Sequence, residues 1–129
     1  RELSLRESAR LRALADAIDA QEPAVIAFLT PTFCQSGTCG PTIEAVKEVA
    51  RRDPGLTVVH VEPYLMHVKD GYLQPQLSAE GWLQSAPWTE AWGLRTEPFV
   101  AVIDAAGLVR AKFEGALTVE ELENALAAL

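Results

Sequence analysis

Cysteine is scarce in this 129-residue chain: there are two, Cys34 and Cys39. They can only pair with each other or with something outside the chain. Basic clusters are missing as well. The formal charge is −7, and no run of Lys or Arg exceeds Arg51-Arg52. That excludes the basic face which nucleic acid or an anionic membrane requires. No apolar stretch approaches the ~18 residues needed to cross a bilayer. Internal repeats, linkers and low-complexity segments are also lacking. With 49% apolar and 22% charged residues, the composition is that of a globular domain and argues against disorder or a coiled coil. The length suits one core, so residues 1–129 are read as a single domain. The first residue is Arg1 rather than Met, and the expectation is a processed or partial chain from which a signal or anchor has been removed.

What is present is organised around the two cysteines. An apolar run, Ala24 to Leu29, has the continuous hydrophobicity of a central strand covered on both faces. The cysteines follow it, and the spacing of Ile43, Val46, Val49 and Ala50 then predicts a helix over Pro41 to Arg52, ended by Asp53-Pro54-Gly55. A helix N-terminus, with its partial positive charge, favours a thiolate. Leu56 to Val61 is β-branched and predicts a second inner strand, completing a parallel βαβ unit. Upstream, Ser4 to Glu7 forms a capping box, and Leu11, Leu14 and Ile18 give an amphipathic helix to about Ala20. Pro63 to Pro87 carries turn residues (Asp70-Gly71, Pro75, Gly81) and is expected to be an irregular insertion, with a short helix over Ser85 to Trp92. Phe99 to Asp104 and Val109 to Glu114 predict a hairpin, and Thr118 to Glu121 a capping box that opens a terminal helix with Leu122, Ala125, Leu126 and Leu129 on its apolar side.

This order of elements resembles the thioredoxin fold from Pro23 onward: an α/β architecture with a central mixed sheet flanked by helices. The segment Trp92 to Phe99 is similar to the one that leads into the family's cis-proline, here Pro98, and Phe99 to Gly115 resembles its closing hairpin and glycine. Within the superfamily the chain looks like small bacterial cell-envelope proteins with a Phe-Cys-x4-Cys-Gly-Pro site. The resemblance implies a redox-active disulfide site. Phe33-Cys34 takes the place of the family's Trp-Cys, making Cys34 the attacking thiol and Cys39 the resolving one. A rival alignment makes Cys39 the nucleophile and Thr42 a lost partner; it disturbs the strand register, whereas the first inserts two loop residues. Pro98 would be cis, and the Glu97 backbone would hold an extended substrate peptide beside Phe33. The family's buried strand carboxylate falls at Ala27 and its neighbouring lysine at His60. Both supporting groups are therefore absent.

The function this implies is a thiol–disulfide oxidoreductase exchanging disulfides with protein substrates and a redox partner protein. It would act as a monomer outside the cytoplasm, in the periplasm or on the outer face of the cell membrane, without a cofactor, nucleic acid or membrane contact of its own. A disulfide needs the two α-carbons within roughly 7 Å. Two readings compete with it. One is a non-catalytic thioredoxin-like binding domain with a structural disulfide, a staple worth roughly 2 to 3 kcal/mol. The other is Cu(I) or Zn(II) binding by the thiols with His60 or His67; a strand histidine is more often a packed core residue, so no metal ligand is assigned. Peroxide reduction is discounted because the activating pattern needs proline where Thr32 stands. Trp82, Trp88 and Trp92 are read as core or loop anchors rather than a partner groove.

Overall fold

The computed structural model describes residues 14–30, 33 and 37–129. The Ser4–Glu7 capping box and Leu11 lie outside the described residues. A helical stretch at 14–19 (α1) precedes β1, Ala24–Phe28, whose five residues are all buried. Burial on both faces is what a strand with no polar alternation requires. β1 pairs in parallel with β2 (Thr57–Val61) and antiparallel with β5 (Phe99–Ile103), and β6 (Val109–Glu114) pairs with β5. The order is β2-β1-β5-β6. β2 is therefore an outer strand of the described sheet and not the inner one expected from its composition. β-branched content reports a pleated, half-buried surface; it does not count neighbours.

Two apolar layers cover this sheet. On one face Val25, Ala27 and Leu29 meet Val46 and Val49 of α2 (Cys39–Arg52) and Leu122 of α4 (Val119–Ala127). On the other, Ile26, Phe28 and Phe99 meet Leu14 of α1 and Trp88 of α3 (Pro87–Ala91). Period-two alternation along β1 sends successive side chains to these two layers. In α1 the fully buried side is Ala17, whereas Ile18, expected on the inner face, is 37% exposed. Leu129 follows α4 and is likewise exposed.

Pro63 to Pro87 departs most from the sequence reading. It contains an ordered hairpin, β3 (Met66–Lys69) paired with β4 (Tyr72–Pro75). Asp70 and Gly71 form its turn with φ of 53° and 79°, the doubly positive combination of the two-residue hairpin turns that Asp-Gly favours. The base of this arm is closed by Leu65 N–H to Gln84 O (2.8 Å) and Ala86 N–H to Pro63 O (2.9 Å), with Tyr64 bridged to Ser85. Its flanks did not advertise a hairpin because both strands are short and their outward positions are apolar: Val68, Tyr72 and Leu73 are all more than half exposed.

Asp104 organises the β5–β6 turn. Its Oδ1 accepts from the N–H groups of Ala106 and Leu108 (both 2.9 Å), and its Oδ2 from Arg110 Nε at 2.6 Å. The backbone bond from Leu108 and the Arg110 guanidinium hold this carboxyl below its usual range. α4 opens on a complete capping box: the Glu121 N–H donates to Thr118 Oγ1 (3.1 Å), and the Thr118 N–H donates to Glu121 Oε2 (2.8 Å). Because Leu122 at the start of this helix is fully buried, loss of the cap is felt by the whole core. Thr118→Ala is expected to lower the unfolding free energy by about 1 kcal/mol, read from the midpoint of urea denaturation at unchanged slope.

Candidate functional site

The site is set by where α2 begins. The helix starts at Cys39, two residues earlier than the Pro41 start expected from apolar spacing. Cys39 therefore lies in the first turn, 3% exposed, and is held in a disulfide rather than as a free thiol. No acidic side chain occupies that turn, and Thr38 provides no side-chain cap. The partial positive charge of the first N–H groups is thus not offset from within the helix. Cys34 lies outside the described residues.

A short relay of hydrogen bonds ties this turn to the start of β5. Thr42, one turn after Cys39 and fully buried, donates from Oγ1 to Gly115 O at 3.0 Å. Gly115 in turn donates its N–H to Pro98 O at 3.0 Å. Gly115 adopts φ +82°, a conformation open to glycine and strained for other residues. The Glu97–Pro98 peptide bond is cis, and Pro98 is buried. Cys39 and Pro98, far apart in sequence, are therefore joined through Thr42 and Gly115. In the rival alignment Thr42 stood for a lost thiol; in the fold it is a buried strut.

Phe33 is half-buried and its N–H donates to Thr30 Oγ1 at 3.2 Å. Beside the proline, Phe28, Trp92 and Phe99 pack in tilted and edge-on contacts with centroids 5.3–6.4 Å apart. Trp92 is an anchor of this trio, and Trp88 packs against the sheet while donating Nε1–H to Glu62 O at 2.8 Å. Trp82 alone of the three is largely exposed, at 70%.

Glu97 is half-buried and its Oε2 accepts a 2.6 Å hydrogen bond from the hydroxyl of Tyr64. Burial first, then the Glu97 carboxylate as acceptor, and the charge of Glu62 hold the Tyr64 phenol far above its ordinary range. Sequence reasoning missed Tyr64 because its partner is thirty-three positions away, with no local pattern linking them. Ala27 stands in register with His60. The His60 ring brings Nε2 to 2.6 Å from Leu29 O; facing a carbonyl acceptor, that nitrogen carries the proton. A metal ion would have to displace this bond to use Nε2, and His67 sits apart on the exposed arm, opposite Gln74.

No protein-family model matches the sequence, and no curated protein matches it either. Solved structures do share the backbone. The chain is similar to the exposed lipoprotein thioredoxin of Streptococcus pneumoniae, with a TM-score of 0.63 at 18% identity over 90% of each chain. It is similar to thioredoxin O2 of Arabidopsis thaliana in its oxidized state, with a TM-score of 0.61 at 16% identity, covering 95% of this chain and 87% of that one. MTB dsbF gives a TM-score of 0.55 at 23% identity over 82% and 79% of the two chains. The protein thus has the thioredoxin fold.

Two outcomes follow from the geometry. Thr42→Val keeps the side-chain shape but leaves the Gly115 carbonyl without its hydroxyl donor, so unfolding free energy should fall by about 1 to 3 kcal/mol in chemical denaturation. For Tyr64 the folded state binds the phenolic proton more tightly than the unfolded chain, whose phenol ionises near pH ~10. Its contribution to stability is full below that pH and lost as pH rises toward the folded value. Tyr64→Phe should therefore flatten the decline in stability above pH ~10, measured as the urea midpoint against pH.

Proposed function

We propose that the protein is a thiol–disulfide oxidoreductase that exchanges disulfides with protein substrates through Cys34 and Cys39. The observation that carries this reading is the buried, disulfide-bonded Cys39 in the first turn of α2, tied through Thr42 and Gly115 to cis-Pro98. Cys34 is the chain's only other cysteine, and it is the partner this reading proposes for Cys39.

In the reducing direction the Cys34 thiolate attacks one sulfur of a substrate disulfide. A mixed disulfide forms, and the departing substrate thiolate takes up a proton. Cys39, deprotonated, then attacks the Cys34 sulfur, forming the Cys34–Cys39 bond and expelling the second substrate thiol. The substrate gains two electrons and two protons, and a redox partner protein with a dithiol returns the pair to its reduced form. Reversal of the same steps oxidises a substrate dithiol, with the direction set by relative potential. Burial of Cys39 suits the resolving role, since the attacking thiol must be reached from outside. Phe33 and the Glu97–Pro98 backbone would hold the substrate segment in extended form, by strand-like hydrogen bonds.

The site of action proposed is outside the cytoplasm. The support is the fold shared with a pneumococcal exposed lipoprotein; among the described residues no helix is long and apolar enough to cross a membrane. A second reading, a binding domain with a structural disulfide, draws on the exposed apolar arm at Val68, Tyr72 and Leu73.

Trapping separates the two. With the resolving thiol removed, Cys39→Ser should accumulate a mixed disulfide with a disulfide-bearing protein such as insulin, seen by non-reducing gel and mass. Cys34→Ser should accumulate far less. Failure of both variants to form any adduct, under conditions where free thiols react, would leave the structural-disulfide reading standing instead.

A further inference from the structure

The β3–β4 arm is a sheet of two strands, and no third strand flanks it among the described residues. Its register decides which backbone groups are left over. Gln76 N–H donates to Leu65 O at 2.9 Å, and the pairs of an antiparallel ladder alternate from there. His67 with Gln74, and Lys69 with Tyr72, exchange bonds across the hairpin. Met66 and Val68 instead turn their N–H and C=O groups to the outer edge of β3. Among the described residues nothing bonds to those groups. The outer edge of β4 is less complete, because Pro75 has no N–H to offer. β3 is thus the edge left open to a further strand.

Side chains along this edge divide by chemistry. Residues opposite each other in a ladder share a face of the sheet. Met66, Val68, Leu73 and Pro75 therefore form an apolar face, with Val68 73% and Leu73 63% exposed. The other face carries His67 and Lys69 on β3, both exposed, with Gln74 and Tyr72 opposite them. Lys69 has no ion pair among the described residues, whereas Lys47, Arg51, Arg52 and Arg110 are each paired with a carboxylate. Asp70 follows Lys69 in the turn, beyond the end of the strand.

We propose that the outer edge of β3 docks an extended segment of a partner protein in which apolar and acidic side chains alternate, adding a third strand to the arm. Main-chain bonds to Met66 and Val68 supply affinity, and the side chains supply the choice of segment. Apolar residues of the segment lie beside Met66 and Val68, and its carboxylates lie beside His67 and Lys69. A second copy of this chain fits the edge less well. Turned about a two-fold at Val68, it would set Lys69 opposite the second copy's His67, basic against basic. Two chains of formal charge −7 also repel each other. The docking edge uses neither cysteine, so it stands apart from the disulfide exchange proposed above.

The test follows backbone amide exchange by NMR in the full chain with its disulfide intact. The probe is a short cysteine-free peptide alternating valine and glutamate. Exchange of the Met66 and Val68 N–H groups should slow saturably as peptide is added, while the Leu73 N–H on the opposite edge keeps its rate. The same peptide with lysine for glutamate should bind roughly two- to fivefold more weakly at ~0.15 M salt, where the field of the whole chain is screened. Lys69→Glu leaves the ladder intact and should reverse that preference. No slowing at Val68 with peptide up to ~1 mM, or slowing at Leu73 instead, overturns the inference. A preference that is absent from the wild type, or unchanged by Lys69→Glu, overturns it too. So does protection of Val68 that rises with protein concentration in the absence of peptide, which would give the edge to a second copy.

Discussion

The bond from Thr42 Oγ1 to Gly115 O holds the first turn of α2 against the end of the hairpin, and Gly115 passes that hold to Pro98. Three parts of the chain far apart in sequence meet at these two residues: the helix that begins at Cys39, the close of β6 and the start of β5. Thr42 and Pro98 are buried and Gly115 is half-buried, and for a buried group a missing partner is destabilising by more than a formed bond is stabilising. The arrangement therefore fixes the position of the helix end as well as contributing to stability. The chemistry available at Cys39 depends on that position, since the partial charge of the helix falls off within its first turn.

The core around this contact explains why so little of the site needs to be built locally. β1 and β5 are covered on both faces, with every residue of both strands buried. Their ends are thereby fixed in space, and the segments that leave them inherit a defined starting point. Residues near the site add polar struts to this frame: Tyr64 to Glu97, Trp88 to the Glu62 carbonyl and His60 to the Leu29 carbonyl. The first two link segments that the sheet ladder does not join directly, and the third reinforces the end of the β1–β2 pair. The β3–β4 arm differs in kind, because its outer side chains have no core to face and it is tied to the domain mainly at its base.

What the sequence made legible follows from the range of each interaction. Continuous apolar runs identified β1 and β5, and the Thr118 and Glu121 pair identified the start of α4, because those signals lie within a few neighbouring residues. The Asp70-Gly71 turn was visible, but the strands beside it were not. Their outward apolar residues break the alternation that marks a half-buried strand. The outer placement of β2 and the early start of α2 are set by tertiary packing, to which propensity gives only a weak guide. Cys39 stood out by the scarcity of cysteine and its place ahead of a predicted helix, and Glu97 and Pro98 by resemblance. Tyr64 and the strut role of Thr42 did not, since their partners are 33 and 73 positions away.

The central claim is that the pair formed by Cys34 and Cys39 is poised for exchange rather than permanently closed. Its equilibrium potential tests this most directly, by trapping thiols in graded glutathione and dithiothreitol buffers and counting labels by mass. The account predicts a midpoint between about −120 and −270 mV, the span of known thiol–disulfide catalysts. A bond that stays closed well below about −300 mV, or two thiols that never pair, would contradict it.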